Sequence, residues 1–105
     1  MRSATYAHKI GSTLRLVGQV RLDGDAQDLT GWTLRCRAVS GCVSIDLSCR
    51  WVDAAYGALE LHADAADQGA WRAGRYALDV RMESPTGEVL ISSTAHLHLH
   101  EAITT

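Results

Sequence analysis

The residues best placed to do chemistry are three histidines near the carboxyl end, His96, His98 and His100, spaced two apart. In an extended strand residues two apart point the same way, about 7 Å from each other. Two imidazoles at that spacing could share a zinc ion if their rotamers converged, with a third ligand from His62 or a carboxylate on an adjoining strand. The plainer reading is a solvated or subunit-facing polar strip, and the sequence favours it. On this reading there is no catalytic residue, no cofactor and no metal, and His96, His98 and His100 are the residual metal candidates. Stacked histidines at an interface would also repel once protonated.

The cysteines Cys36, Cys42 and Cys49 are spaced C-x5-C-x6-C, which matches no zinc motif. Cys36 and Cys49 fall on an inward parity and read as small core residues. Cys42 falls in a turn. An odd count without a signal peptide argues against a secreted disulfide framework. The carboxylate pairs Asp23/Asp25 and Asp64/Asp67 sit in turn-like segments, where Asp is favoured for backbone reasons. There is no G-x-S-x-G and no Gly-rich phosphate loop. The chain reads as a non-enzyme.

Charge carries the remaining signal. The formal net charge is −2, without a basic or acidic block, so charge-driven nucleic-acid binding is not expected. Nine of the ten basic residues are Arg, the residue enriched at protein interfaces where Lys is depleted. Arg35, Arg37 and Arg50, with Arg81 nearby, are expected to form an exposed face able to meet an acidic partner. No aromatics interleave there, as a single-strand nucleic-acid platform would require. Tyr6, in the amino-terminal segment, is the other interface candidate. The segment MRSATYAHKI has no apolar h-region, and no run reaches the length of a membrane span. The expectation is a soluble protein made in the cytoplasm, without a membrane partner.

The elements that must position these residues are strands. A chain of 105 residues with 47% apolar content is read as one domain with its own core. Residues 1–12 form an arm or edge strand, and 13–105 a single β-sandwich. Thr13–Leu22 alternates, with Leu14, Leu16, Val20 and Leu22 on one face. Gly18 shares that face and suggests a bulge or a close backbone approach. Trp32, Leu34, Cys36 and Ala38 alternate with Thr33, Arg35 and Arg37. After Ser40-Gly41, Val43, Ile45, Leu47, Cys49 and Trp51 alternate with Ser44, Asp46, Ser48 and Arg50. The hairpin between these runs places Trp32 roughly across from Cys49 and keeps Cys36 and Cys49 from bridging.

Ala58–Ala63 is a short strand, with Leu59 and Leu61 inward. Asp64–Gln68 allows one helical turn. Tyr76, Leu78, Val80 and Met82 alternate with Ala77, Asp79, Arg81 and Glu83, and Trp71 is positioned to fold over the end of the core. Ser84-Pro85-Thr86-Gly87 is a β-turn. Glu88–His100 is the last strand, expected to bend near Ser92-Ser93 and serve both sheets. Six or seven strands at this spacing, without a helix-period stretch, give an all-β, Ig-like antiparallel sandwich of about seven strands.

Three pieces occur in order: Asp28-Leu29-Thr30-Gly31-Trp32-Thr33; Asp53 to Gly57-Ala58-Leu59-Glu60-Leu61; and Trp71 to Gly74-Arg75-Tyr76 and Asp79-Val80, followed by Gly87-Glu88-Val89. Over about residues 11–100 this resembles the small β-sandwich of phage tail and baseplate proteins, such as the N-terminal domain of the lactococcal phage baseplate upper protein. The resemblance implies a non-enzymatic virion structural protein of the tail, baseplate or fibre-attachment region. It would be made in the host cytoplasm, present in symmetric copies and partnered by other virion proteins. Attachment is a better inference from it than receptor binding. A capsid decoration protein is the nearest variant. A carbohydrate or cell-surface binding module, using Tyr56 and Trp71, is the alternative from a different class.

Overall fold

The computed structural model describes residues 5–104. Ten strands run along them: β1 (Thr5–Lys9), β2 (Leu14–Gln19), β3 (Arg21–Leu22), β4 (Asp25–Ala26), β5 (Thr33–Ser40), β6 (Val43–Asp53), β7 (Ala58–Ala63), β8 (Gly74–Glu83), β9 (Val89–Ile91) and β10 (Ala95–His100). Short 3-10 turns occupy Ala54–Tyr56 and Ala65–Gln68, the second within the stretch expected to allow one.

Seven strands follow one hydrogen-bonded path, β1-β10-β8-β5-β6-β7-β2. The first half of β6 pairs with β5, from Val43 opposite Ser40 to Leu47 opposite Cys36. Its second half pairs with β7, from Ser48 opposite His62 to Asp53 opposite Ala58, with an irregularity between Trp51 and Asp53. β6 therefore turns the path over on itself. Sheet A holds β1, β10, β8, β5 and the start of β6. Sheet B holds the end of β6, β7 and β2. The result is an all-β, Ig-like sandwich, in which β2 and β7 stand as strands B and E, and β5, β8 and β10 as C, F and G. Every pair is antiparallel except β1 on β10, where Thr5 lies opposite His96 and Lys9 opposite His100 in parallel register. In that pairing Thr5–Lys9 of the amino-terminal segment is an edge strand; residues 1–4 of the proposed arm lie outside the described residues.

Three expectations need correction. The last stretch does break at Ser92–Thr94, but both halves stay on β8: Ala95–Leu99 opposite Leu78–Gly74, and Val89–Ile91 opposite Glu83–Arg81. Ser92 holds the break inside sheet A. Its amide donates to the Val80 carbonyl at 2.9 Å, and its Oγ accepts from the Val80 amide at 2.8 Å. The strand that serves both sheets is β6. The β5–β6 register is also offset by two residues, because the hairpin turn is the pair Gly41-Cys42, with Gly41 at φ 58. Trp32 thus meets Trp51, whose indole N–H donates to the Trp32 carbonyl at 2.8 Å, rather than Cys49. Finally, Gly18 makes no bulge: it pairs in regular register with Leu59.

The core is filled by the inward parity of both sheets. Leu14, Leu59 and Leu61 from sheet B meet Leu78, Val80, Met82, Leu97 and Leu99 from sheet A, all buried. Each such side chain contributes roughly 1.5–3 kcal/mol of burial. Tyr76, 1% exposed, anchors the start of β8, and its hydroxyl donates to the Arg72 carbonyl at 2.9 Å. This is the corner that Ig-like domains make with a Tyr early in strand F; Leu78 stands two residues on, where antibody domains carry a disulfide cysteine.

Past β7 the chain crosses under the end of the sandwich. Gln68, 1% exposed, fastens that crossing. Its Nε2 donates to the Ser12 carbonyl at 2.6 Å and to the Ala63 carbonyl at 3.3 Å; its Oε1 accepts from the Gly11 amide at 2.9 Å and lies 3.1 Å from His8 Nε2. Trp71 packs against the core and meets His8 edge-on, with ring centroids 6.2 Å apart, as its position ahead of Tyr76 suggested.

Candidate interaction surface

The outer face of sheet A collects most of the residues singled out by type. β5 presents Thr33, Arg35, Arg37 and Val39 to it, and β8 presents Arg81, Asp79, Ala77 and Arg75. Arg35 lies directly opposite Arg81, a like-charge pair that destabilises a sheet unless something neutralises it. Arg81 Nη2 reaches Glu83 Oε1 at 3.2 Å, and Arg37 Nε reaches Asp46 Oδ1 at 3.1 Å. Both contacts are solvent-exposed and worth about 0–1 kcal/mol each. Among the described residues Arg35 forms no ion pair. The face is therefore able to accept a carboxylate beside Arg35 and Arg81.

Arg50 does not belong to this face. β6 has already crossed to sheet B when it reaches position 50, so Arg50 projects from the opposite outer surface. There Arg50 Nη2 and Arg15 Nε close on Glu60, at 3.0 and 2.7 Å. The Glu60 side chain is 1% exposed although it points outward, because the two Arg stems lie over it. The hydrogen bond from Arg15, with the charges of both Arg, holds the Glu60 carboxyl below its ordinary range. Arg50 is thus committed to an internal ion triad. Alternation with the inward Leu59 and Leu61 puts Glu60 outward but cannot show that two Arg from different strands converge on it.

Tyr6 is also placed elsewhere. It is half-buried on the inner side of β1 and lines a groove along the open side of the sandwich, together with Leu16 and Gly18 of β2 and Ala95. This groove is the feature that sequence reading missed. Its one signal was Gly18, an inward position without a side chain.

The histidine strip lies on the outer face of sheet A, as its parity implies, between β1 and β8. His98 sits opposite Ala7 on one side and Arg75 on the other. The His98 and His100 rings are 6.2 Å apart, centroid to centroid. Among the described residues no three His, Cys, Asp or Glu side chains converge on a point that could hold a metal ion. His62, the proposed third ligand, is on β7 in sheet B and contacts Asp64 Oδ1 at 3.2 Å.

Cys36 is buried, Cys49 half-buried and Cys42 exposed, and all three are free thiols. Burial, with smaller contributions from Cys49 and Asp79, pushes the Cys36 thiol up to about 12. It is a core residue without nucleophilic character. The Asp residues do backbone work: Asp28 Oδ1 accepts from the Thr30 hydroxyl at 2.7 Å and the Thr30 amide at 3.1 Å, which shapes the turn through Gly31. Asp23 and Gly24, both at positive φ, turn β3 into β4. Tyr56, one of the proposed sugar-stacking aromatics, is 63% exposed; the other, Trp71, is packed on the core. Among the described residues no helix is long and apolar enough to cross a membrane.

No protein-family model matches the sequence, and a search of curated protein sequences gives no match. Solved structures do match. The chain superposes on the N-terminal domain of phage TP901-1 ORF48 with a TM-score of 0.64 and 15% identity, covering 94% of this chain and 85% of that one. Murine CRIg is matched with a TM-score of 0.47 and 10% identity over 93% of this chain and 92% of that one. The NK cell receptor NKp44 is matched with a TM-score of 0.47 and 18% identity over 97% of this chain and 100% of that one. At this identity the phage domain shares the fold of this chain.

Proposed function

We propose that the protein is a non-enzymatic structural component of a bacteriophage virion, in the tail, baseplate or fibre-attachment region. The observation that carries this reading is the likeness of nearly the whole chain to a domain of a phage protein, ORF48 of TP901-1. The surface supports it. The Arg35–Arg81 pair on the outer face of sheet A would gain from an acidic partner surface. β9 is an edge strand whose Val89, Leu90 and Ile91 are all substantially exposed, a form of edge that natural sheets normally cover. Such contacts are individually weak, and closed symmetry would multiply them. Its partners on this reading are other virion proteins and further copies of itself. The test is mass spectrometry of gradient-purified particles from the source cells. The chain is expected to co-purify with them in a fixed ratio to the known tail proteins; particles free of it refute the reading.

A further inference from the structure

Counted outward from β6, sheet A continues through four more strands and sheet B through two. The inner face of sheet A therefore runs on beyond β2. At one end the crossing segment with Gln68 and Trp71 roofs this overhang. At the other end it stays open, as a groove of about 440 Å³ beside β2. The apolar lining is Leu61, Leu78 and Val80, the far rim is Tyr6 and Ala95, and Arg21 stands at the β2 end.

We propose that this groove is an acceptor slot for a single strand donated by another polypeptide. The donor is an extended segment that adds to the free edge of β2. It alternates apolar and polar residues and carries a carboxylate where it passes Arg21, whereas Arg15 is already paired with Glu60. The proposal rests on the virion reading for the source of the donor.

Four observations carry it. β2 pairs with β7 alone among the described residues, so one whole edge of its backbone has no strand partner. Gly18 points inward between Leu16 and Val20, yet a Cβ there would meet nothing within 4 Å. No side chain of the described residues fills that space. Third, the overhang selects the occupant. Two copies joined edge to edge through β2 would each drive β10 and β1 beneath the other's sheet B, where that copy's own sheet A already lies. A lone strand meets no such obstacle. Fourth, the outward row of β2 and its continuation reads Arg15, Val17, Gln19, Arg21. Arg21 Nε is bonded to the Gln19 side chain at 2.8 Å and to no carboxylate among the described residues. Opposite-charge cross-strand pairs therefore favour an acid-flanked donor.

The test uses the ¹⁵N-labelled full chain titrated with the synthetic peptide Ac-EVTISVD-NH2, followed by amide chemical shifts. Saturable shifts confined to Leu16–Arg21 and Ser92–Ala95, with a dissociation constant below about 1 mM, are expected. Gly18→Leu, which fills the slot, should weaken binding at least roughly tenfold. Arg21→Glu should reverse the preference toward a lysine-flanked peptide of the same core, and it keeps the test sound if the Gly18 variant misfolds. The proposal is overturned by shifts that are absent or lie elsewhere, or by equal binding of a peptide with proline at its centre. It is also overturned by concentration-dependent dimerisation through β2, which would give the slot to a second copy. Virions that contain the chain, without peptide binding, would refute the slot alone. Peptide binding, with virions that lack the chain, would refute the virion reading alone.

Discussion

Replacing Gln68 by leucine removes a fastening that no other side chain among the described residues duplicates. The Gln68 amide makes four hydrogen bonds, to Gly11, Ser12, His8 and Ala63, and thereby ties the β1–β2 turn to the end of β7. Each is worth about 0.5–1.5 kcal/mol net, and a buried group left unpaired costs roughly 1–3 kcal/mol. Gly11 and Ser12 are exposed, so water takes over their share, whereas the Ala63 carbonyl lies beside a buried residue. Leucine is close in size, so no large cavity forms. The expected loss is about 2–3 kcal/mol. For a domain of this length that lowers Tm by on the order of 10–20 °C. Urea denaturation followed by far-ultraviolet circular dichroism gives the value, with the slope m unchanged. Hydrogen exchange should show faster exchange at Tyr6–Ile10, while the β5–β8 ladder keeps its protection. A loss below about 0.5 kcal/mol, the size of an ordinary surface change, would refute the reasoning.

Tyr76→Phe removes the hydroxyl bond to the Arg72 carbonyl and keeps the buried ring; a cost of about 1 kcal/mol in urea melts is expected. Glu60 is held below its ordinary value of 4.5, so its contribution to stability is full above that pH and is lost as pH falls through the lower folded value. Glu60→Gln should therefore be less stable than the parent at pH 7 and should approach it as pH falls below about 4.5, and parallel melting curves across pH would contradict this. With Cys36 pushed up to about 12 and Cys42 exposed, Ellman's reagent at pH 8 should find Cys42 as the fast thiol and leave Cys36 unreacted until denaturant is added. Rapid loss of that fast phase in Cys42→Ser is the check.

Much of the fold was legible because period two survives wherever one face is buried. Val43–Trp51 alternates without a fault, and so does Tyr76–Glu83. What alternation cannot report is which neighbour a strand serves. β6 keeps its inward parity through the crossing from sheet A to sheet B, so Arg50 read as a companion of Arg35 and Arg37 although it lies on the other surface. The break at Ser92–Thr94 looked like the crossing instead, because polar residues interrupt the run. Only the hydrogen bonds of Ser92 to Val80 show that both halves stay on β8. Register was lost for a similar reason: whether the turn is Ser40-Gly41 or Gly41-Cys42 moves every cross-strand pair by two. Val89 and Ile91 share the parity of Ala95, Leu97 and Leu99. They are 41% and 62% exposed, as Leu90 between them also is, on a short edge strand that pairs with β8 alone among the described residues.

The candidate surface was legible in part. Arg35, Arg37 and Arg81 do share a face. The slot beside β2 was not legible, because it arises from the unequal number of strands in the two sheets, a property of topology rather than of any segment.

The most direct test of the central claim is immunogold labelling of particles induced from the source cells, with an antibody raised against this chain. Gold at the tail tip, baseplate or fibres is the expected result. Intact particles without gold, under conditions in which the antibody detects the chain in the lysate, would contradict the account.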